Sequence, residues 1–156
     1  MSLRVGIGVD AHAFADGLPL VLGGVGFDSP RGLAGHSDGD VITHALIDAV
    51  LGAAGLGDIG GLFPSDSSTP VGVSSLDLLR DTVARVRQAG YVVVNADSVL
   101  VGEEPRIADR REEMERVLAE LVGAPVTVRA TTTDRLGFTG RAEGLAAHAV
   151  ALLETI

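Results

Sequence analysis

The sequence contains no cysteine, no tryptophan and no lysine, since all twelve of its basic residues are arginine. Without cysteine, the chain can form neither a disulfide nor a thiolate metal site. Without lysine, it has no Schiff-base nucleophile and no P-loop lysine for binding phosphate. Aromatic residues make up only 3% of the chain, so stacking of exposed nucleic-acid bases is not expected.

Positive charge is also scarce, because 21 acidic residues outnumber the 12 arginines and leave a formal net charge of −9. This balance argues against a nucleic-acid partner, which requires a basic patch. No apolar stretch approaches the length of a membrane span, and no targeting segment is visible. We therefore expect no membrane partner and a cytoplasmic location. The length of 156 residues and the hydrophobic content of 46% predict one domain over residues 1–156.

Hydrophobic periodicity and turn residues predict a mixed α+β fold with helices on one face of a sheet. Ser37 is the expected N-cap of the first helix. The segment 60–72 is expected to be a binding loop or a plain connector, and 137–141 is expected to be a loop. The segment 144–153 fits either a helix or a buried strand. The predicted strands are 4–9, 20–22, 91–101 and 126–133. The predicted helices are 38–54, 74–89 and a third that follows Pro105 and ends before Gly123.

Three of the four histidines lie in the first third of the chain, close to several aspartates. Asp10 and His12 are two residues apart at the predicted end of a strand, so their side chains share one face. Asp40, His44 and Asp48 are four residues apart and share one face of a helix. A strand Asp and His with a helix His would suit zinc and leave one coordination position open. The alternative is that His44 makes an ordinary salt bridge to Asp40 or Asp48.

Two further segments are candidates for binding phosphate. His36 and Ser37 precede a predicted helix, whose free N–H groups could hold an anion, although capping alone is the commoner role of such a serine. The run Thr131–Asp134 offers three hydroxyls and a carboxylate, which suit phosphate and Mg²⁺. Its residues also fit an ordinary strand. His148 lies in an apolar run and is interpreted as a structural histidine.

Several specific motifs occur together and in order along the whole chain. They are Asp10-Ala-His12, His36-Ser-Asp-Gly-Asp40 continuing to His44, Leu62-Phe-Pro64, and Thr131-Thr-Thr-Asp-Arg-Leu-Gly-Phe-Thr-Gly-Arg141. With these motifs the chain resembles the family of 2-C-methyl-D-erythritol 2,4-cyclodiphosphate synthases of the non-mevalonate isoprenoid pathway.

The resemblance implies a ferredoxin-like sandwich that forms a homotrimer with active sites between subunits, in which the last segment is a strand. It implies a lyase reaction in which the 2-phosphate of cytidine-diphosphate-linked methylerythritol attacks the β-phosphorus. A cyclic diphosphate forms and CMP leaves. Because the nucleophile is tethered to the substrate, positioning and charge neutralisation can supply most of the catalysis.

The resemblance also assigns roles to individual residues. Zn²⁺ or another divalent transition metal would be held by Asp10, His12 and His44, and Mg²⁺ or Mn²⁺ by Asp134, which stands where the family usually has Glu. His36 and Thr132 would stabilise the transition state. The remaining substrate contacts would come from Ser37, Asp58, Ile59, Gly60, Phe63, Asp66, Gly102, Glu103, Glu104, Pro105, Arg106, Ile107, Ala108, Thr131, Thr133, Phe138 and Arg141, of which 102–108 would form the cytidine pocket.

Other functions remain open on the sequence. A zinc-dependent phosphohydrolase would use the same metal with a water nucleophile, although the chain lacks ligands for an obvious two-metal site. A non-enzymatic trimeric binding protein could have kept the same fold. An isoprenoid diphosphate could bind near Phe138 and Arg141 at the trimer axis.

Overall fold

Seven strands and five helices are present in a computed structural model of the chain, which describes residues 1–156. A single 3₁₀ turn, Ala108–Arg110, precedes the fourth helix. The strands are β1 (Leu3–Asp16), β2 (Leu20–Leu22), β3 (Val25–Phe27), β4 (Arg31–Leu33), β5 (Tyr91–Val101), β6 (Val126–Thr131) and β7 (Gly144–Thr155). The helices are α1 (Val41–Ala54), α2 (Ile59–Leu62), α3 (Ser75–Gln88), α4 (Arg111–Val122) and α5 (Gly137–Gly140). No helix is both long and apolar enough to cross a lipid bilayer.

Five strands form one mixed sheet in the order β4-β1-β7-β5-β6, and β2 and β3 form a separate hairpin. β5 and β6 are parallel, whereas β1 is antiparallel to both β4 and β7. The β1–β7 pairing extends from Leu3 opposite Glu154 to Ala13 opposite Gly144. The mixed α+β class predicted from the sequence is therefore confirmed.

The helices cover one face of the sheet, and α1 lies closest to it. Two glycines of β1 face this helix and have no side chains to hold it away. A Cβ atom on Gly6 would lie 2.0 Å from the carbonyl oxygen of Ala49, and one on Gly8 would lie 1.9 Å from that of Ala45. The absence of both Cβ atoms allows α1 to pack directly on β1, and most of α1 is buried in the core.

The other face of the sheet is open and apolar. Val5, Ile7 and Val9 of β1 alternate with the residues that face α1 and are 54–70% exposed. Val150 of β7 is 46% exposed and pairs with Ile7. His148 is exposed on this face beside Val9, so its position in the isolated chain does not support the interpretation as a structural histidine. The strand period of two puts it opposite the buried residues of β7.

Several predicted boundaries differ from those observed. The first strand continues to Asp16 because β7 and β4 pair with its second half, so Asp10 and His12 lie within the strand and not at its end. β6 ends at Thr131, two residues early, and the expected helix after Pro105 begins as a 3₁₀ turn at Ala108. One-turn helices interrupt both predicted loops, at Ile59–Leu62 and Gly137–Gly140. The segment Gly144–Thr155 is a strand, since it has partners on both sides.

The first long helix begins at Val41, and Asp40 caps it instead of Ser37. The Asp40 carboxylate accepts the N–H and hydroxyl of Thr43 and also the N–H groups of Gly23 and Gly24. These four donors explain how a fully buried carboxylate is tolerated. Asp40 therefore joins the β2–β3 hairpin to the start of α1.

Candidate active site

β1 and α1 bring Asp10, His12 and His44 together where the helix crosses the strand. One ligand atom from each of the three lies within 4.8 Å of the others. The Asp10 Oδ2 atom is 2.8 Å from Nε2 of His12 and 3.3 Å from Nδ1 of His44, and these two nitrogens are 3.4 Å apart. The structure thus assembles the three residues that the sequence singled out as metal ligands.

The donor set fits a divalent metal ion. The Oδ2 atom of Asp10 is buried and has no hydrogen-bond partner, although two imidazole nitrogens are close to it. The Nδ1 atom of His12 is 2.8 Å from the carbonyl oxygen of Ala34, which can only accept, so this nitrogen carries the ring proton. The neutral ring therefore directs the lone pair of Nε2 toward Asp10. One carboxylate and two imidazoles form a ligand set that zinc accepts.

The close contacts in this cluster shift the pKa values of Asp10 and His12. Burial by itself would raise the pKa of Asp10, but the adjacent rings of His12 and His44 lower it to about 2. The pKa of His12 is raised, first by Asp10 and against an opposing effect of burial. Without metal, the Asp10 carboxylate thus favours a proton on His12. A metal ion has to displace that proton to bind.

The other two aspartates of α1's predicted polar face do not join this cluster. Asp40 is the buried cap described above, and burial raises its pKa. The Asp48 carboxylate accepts the N–H of Ile59 at 2.7 Å, and burial raises its pKa as well. The hypothesis that His44 pairs with Asp40 or Asp48 is wrong, because its ring faces Asp10 on β1.

A cavity of about 180 Å³ opens beside the three ligands. His36 and Ser37 line it, as expected, and so does Ile59 from the start of α2. Ser65, Thr69, Val73 and Leu78 complete the lining. Part of the Gly60–Gly72 segment therefore covers this cavity, consistent with a binding loop and not a mere connector.

Ser37 does not lie next to the free N–H groups of the helix as predicted, because α1 starts four residues later. Its hydroxyl instead accepts the N–H of Gly39 at 3.2 Å and lies 2.9 Å from Nε2 of His44. The His36 ring hydrogen-bonds the carbonyl of Thr69 through Nε2, which attaches the loop over the cavity. Both residues still border the space beside the ligands.

A second cavity, of about 420 Å³, lies at the ends of β5 and β6. The predicted cytidine segment contributes most of its lining, together with Thr131 and Thr132. Arg111, which the sequence did not single out, adds a second cationic side chain beside Arg106. The lining members of the predicted segment are Gly102, Glu103, Pro105, Arg106, Ile107 and Ala108.

The segment after β6 borders a third, open cavity of about 520 Å³ with Thr132, Asp134 and Arg141 in its lining. The Thr132 hydroxyl accepts the N–H of Asp134 at 3.3 Å. Asp134 and Arg135 have left-handed φ values of 52° and 67°, so the chain turns sharply here. The Glu103 carboxylate accepts the N–H of Arg135 at 2.9 Å and connects this turn to the second cavity.

Some predicted substrate contacts have other partners. The Thr133 hydroxyl donates to the carbonyl of Leu136 at 2.6 Å, and Asp66 accepts the N–H and hydroxyl of Ser68. Glu104 lines the third cavity, but its carboxylate pairs with Arg31 at 2.9 Å.

Asp58 caps α2 through the N–H of Gly61. Phe63 packs against the core, Phe138 is 44% exposed, and Arg141 pairs with Glu143. None of these seven side chains reaches the cluster of Asp10, His12 and His44.

Sequence reasoning missed two residues behind the metal cluster, Asp38 and Ser75. The Ser75 hydroxyl is 2.9 Å from Nε2 of His44 and donates to the Asp38 carboxylate. Asp38 lies within the His36-Ser-Asp-Gly-Asp40 motif, but nothing in the sequence distinguishes its role from that of the neighbouring Asp40. Ser75 carries no signal in the sequence, because it lies 31 residues from His44.

The comparisons with known proteins agree with one another. The sequence model of the YgbB family matches residues 3–154. The 2-C-methyl-D-erythritol 2,4-cyclodiphosphate synthase of Rubrobacter xylanophilus is 54% identical over 97% of this chain and 94% of its own length. The solved bifunctional IspDF from Campylobacter jejuni has a TM-score of 0.95 and 38% identity, covering 99% of this chain and 43% of that protein. The CDP complex of IspF from Plasmodium falciparum has a TM-score of 0.85 and 28% identity, over 99% of this chain and 97% of that one. The chain therefore belongs to the YgbB family.

Proposed function

We propose that this chain is a 2-C-methyl-D-erythritol 2,4-cyclodiphosphate synthase of the isoprenoid pathway, a phosphorus–oxygen lyase acting in the cytoplasm. It would convert 4-diphosphocytidyl-2-C-methyl-D-erythritol 2-phosphate into the 2,4-cyclodiphosphate and CMP. The observation that carries this proposal is the convergence of Asp10, His12 and His44 beside His36 and Ser37 in a chain of this family.

Asp10, His12 and His44 would hold Zn²⁺ or another divalent transition metal. A metal ion at this point would supply positive charge that polarises a phosphate oxygen. The charge matters because the chain is acidic and has no lysine, while the substrate carries several phosphate charges. Asp134 would hold Mg²⁺ or Mn²⁺ beside Thr132 in the third cavity.

The chain's own residues would mainly position the substrate. An oxygen of the 2-phosphate forms a bond to the β-phosphorus, and the bond from that phosphorus to the bridging oxygen breaks, so CMP leaves with the electron pair. No protein nucleophile is required, because the attacking group is part of the substrate. His36 beside the metal cluster and Thr132 at the second cavity would hydrogen-bond oxygens that gain charge in the transition state.

The cavity formed by 102–108 and 130–132 would bind the cytidine diphosphate portion. Its volume of about 420 Å³ suits a nucleoside, and Arg106 and Arg111 would attract its phosphates. The solved IspF from Plasmodium falciparum is a CDP complex, which supports a site for this group. Asp58–Gly60 and the Phe63 loop would contact or enclose the methylerythritol portion.

A homotrimer would complete the site. β1 and β6 are separated by two strands, which puts them about 14 Å apart at the usual strand spacing, and no cavity contains both ligand sets. Pairing the metal cavity of one protomer with the nucleotide cavity of the next would bring them together. The open apolar face of the ferredoxin-like, one-domain sandwich would be covered in such an assembly, and an isoprenoid diphosphate would bind near Phe138 and Arg141 at its axis.

Turnover of the purified protein tests the proposal. The 4-diphosphocytidyl substrate is incubated with protein, Zn²⁺ and Mg²⁺, and products are followed by ³¹P NMR and mass spectrometry. We expect stoichiometric CMP and a cyclic diphosphate, and a loss of at least 100-fold in the His44→Ala variant. A linear phosphate product would instead identify a phosphohydrolase, and binding without turnover would identify a binding protein; either result contradicts the proposal.

A further inference from the structure

The His44 ring is held by contacts on both of its nitrogens. Nδ1 faces Asp10 and His12, whereas Nε2 points the opposite way, 2.9 Å from the hydroxyl oxygens of both Ser37 and Ser75. Ser75 is the first residue of α3 and is fully buried. A buried hydroxyl and a ring nitrogen at this distance must share a proton, so one of them donates it.

The Asp38 carboxylate determines which of the two donates. Ser75 donates its hydroxyl proton to Oδ1 of Asp38 and its backbone N–H to Oδ2 at 3.0 Å. The N–H of Asp40 also donates to Asp38. An ionised carboxylate only accepts, so the single hydroxyl proton of Ser75 is already used. The Ser75 oxygen therefore presents lone pairs to His44.

Only the Nε2–H tautomer of His44 satisfies the contact with Ser75 and also leaves Nδ1 without a proton for a metal ion. If Nε2 carries the proton, it donates to the Ser75 oxygen, and Nδ1 keeps a lone pair directed at Asp10 and His12. If Nδ1 carries the proton, two lone pairs face each other at 2.9 Å on one side, and an N–H blocks the ligand position on the other. The Ser37 hydroxyl is compatible with either form, so Ser75 makes the choice.

We propose that Asp38 and Ser75 are positioning residues that keep His44 in its Nε2–H tautomer and thereby keep Nδ1 available as a metal ligand. This inference rests on the metal site of the proposed function. Outer hydrogen-bond partners of ligand histidines typically change metal affinity by about 10–100-fold. The backbone around the pair is held independently, since Asp38 donates its N–H to Val73 and Ser37 bridges to Val73.

Three variants separate this role from a general effect on stability. Ser75→Ala removes the acceptor for Nε2–H. Asp38→Asn presents an amide that can donate to Ser75, which frees the Ser75 hydroxyl to donate to Nε2 and favours the opposite tautomer. Ser98→Ala is the matched control, because Ser98 is equally buried and hydrogen-bonded, to the carbonyl of Thr127, far from the ligands.

Zn²⁺ affinity is measured by chelator competition, and the histidine tautomers of the metal-free protein by ¹H–¹⁵N NMR at about pH 8.5, well above the ordinary histidine pKa of about 6.5. We expect the Nε2–H form of His44 in the wild type and a shift toward Nδ1–H in Asp38→Asn. We also expect zinc affinity to fall about 10–100-fold in Ser75→Ala and Asp38→Asn and to stay unchanged in Ser98→Ala.

Finding His44 as the Nδ1–H tautomer in the wild type would overturn the inference, even if a variant failed to fold. Zinc affinities within about twofold of the wild type in both folded variants would also overturn it. Tight zinc binding without CMP release in the wild type would refute the proposed function and leave this inference standing.

Discussion

At the scale of single residues, the site depends on where protons lie. Asp10 and His12 stabilise each other's charged forms in the absence of metal, because the pKa of the carboxylate falls to about 2 and that of the imidazole rises. The carbonyl of Ala34 holds the proton of His12 on the far nitrogen. A metal ion and a proton therefore compete for the same lone pair on Nε2.

This competition predicts opposite pH dependences for the metal-free and the zinc-loaded protein. The pKa of His12 is higher in the folded protein than in the unfolded chain. Its contribution to the free energy of unfolding is therefore complete below the unfolded pKa of about 6.5 and is lost as pH rises through the pKa of the folded protein. The depressed pKa of Asp10 gives a contribution that is lost only as pH falls from about 4 toward 2. The metal-free protein should therefore lose a few degrees of Tm between about pH 6 and 8.5, since a partly exposed pair contributes about 1 kcal/mol or less.

With zinc, stability should instead rise over the same range, because the ligand must lose its proton to bind. Thermal unfolding with EDTA and with Zn²⁺ measures both slopes. The His12→Gln variant is the control and should flatten each curve. Parallel slopes with and without zinc in the wild type would contradict the prediction.

At the scale of elements, the cluster requires α1 to lie directly on β1. Gly6 and Gly8 permit this approach, and the helix then carries His44 to Asp10 and His12 on the same face of the strand. The Asp40 cap holds the helix start against the β2–β3 hairpin. Fold and ligand geometry thus depend on the same helix–strand contact.

We predict that Gly8→Ala separates the two elements. Its Cβ would lie 1.9 Å from the Ala45 carbonyl oxygen, and rigid backbone cannot give way as a side-chain end can. Overpacking of this kind costs about 1–3 kcal/mol or more, or roughly 3–10 °C in Tm for a chain of this size. Zinc affinity should fall as well, because His44 moves with α1.

Denaturant unfolding and zinc titration measure these effects. Gly26→Ala is the matched control, because Gly26 lies in β3 and has no atoms within 4 Å of an added Cβ. A Gly8→Ala protein with wild-type stability and wild-type zinc affinity would show that neither folding nor zinc binding requires this close helix–strand contact.

At the scale of the whole molecule, the proposed homotrimer would account for both the open sheet face and the separation of the two cavities. Apolar side chains of β1 and β7 cover this face, and exposed apolar patches on this scale mark interaction sites. The cavity beside the ligand cluster and the cavity at the ends of β5 and β6 share no lining residue. Covering the face with further copies of the chain would complete the site as well.

We therefore predict that Ile7→Arg disrupts both assembly and turnover. Ile7 is 67% exposed in the isolated chain, so the charge is tolerated in the monomer but not in an apolar interface. Analytical ultracentrifugation should give a mass near the monomer's 15.9 kDa for the variant and three times that value for the wild type. CMP release should drop by at least 100-fold while zinc binding persists.

Leu18→Arg serves as the control, since Leu18 is also an exposed aliphatic residue, 40% exposed, but lies in the loop between β1 and β2 and not on a strand of the open face. It should remain trimeric. A trimeric and fully active Ile7→Arg protein would rule out this face as the interface.

The sequence by itself determined the chemistry that is available. Its lack of cysteine left carboxylates and imidazoles as ligands. The local spacing put Asp10 and His12 on one face of a strand and His44 on one face of a helix, and these two faces could pack together. It also carried enough specific motifs for the family to be identified. It misplaced the cap of α1, because capping depends on where the preceding turn ends.

Only the tertiary structure decided which residues complete the site. Ser75 reaches His44 across 31 positions and Asp38 across 37, and no local pattern encodes such contacts. The exposure of His148 and the open face depend on which side of the sheet α1 covers. Periodicity specifies that a strand has two faces, but the packing of distant elements specifies which face is buried. The same packing determines which ring nitrogen of each site histidine carries the proton.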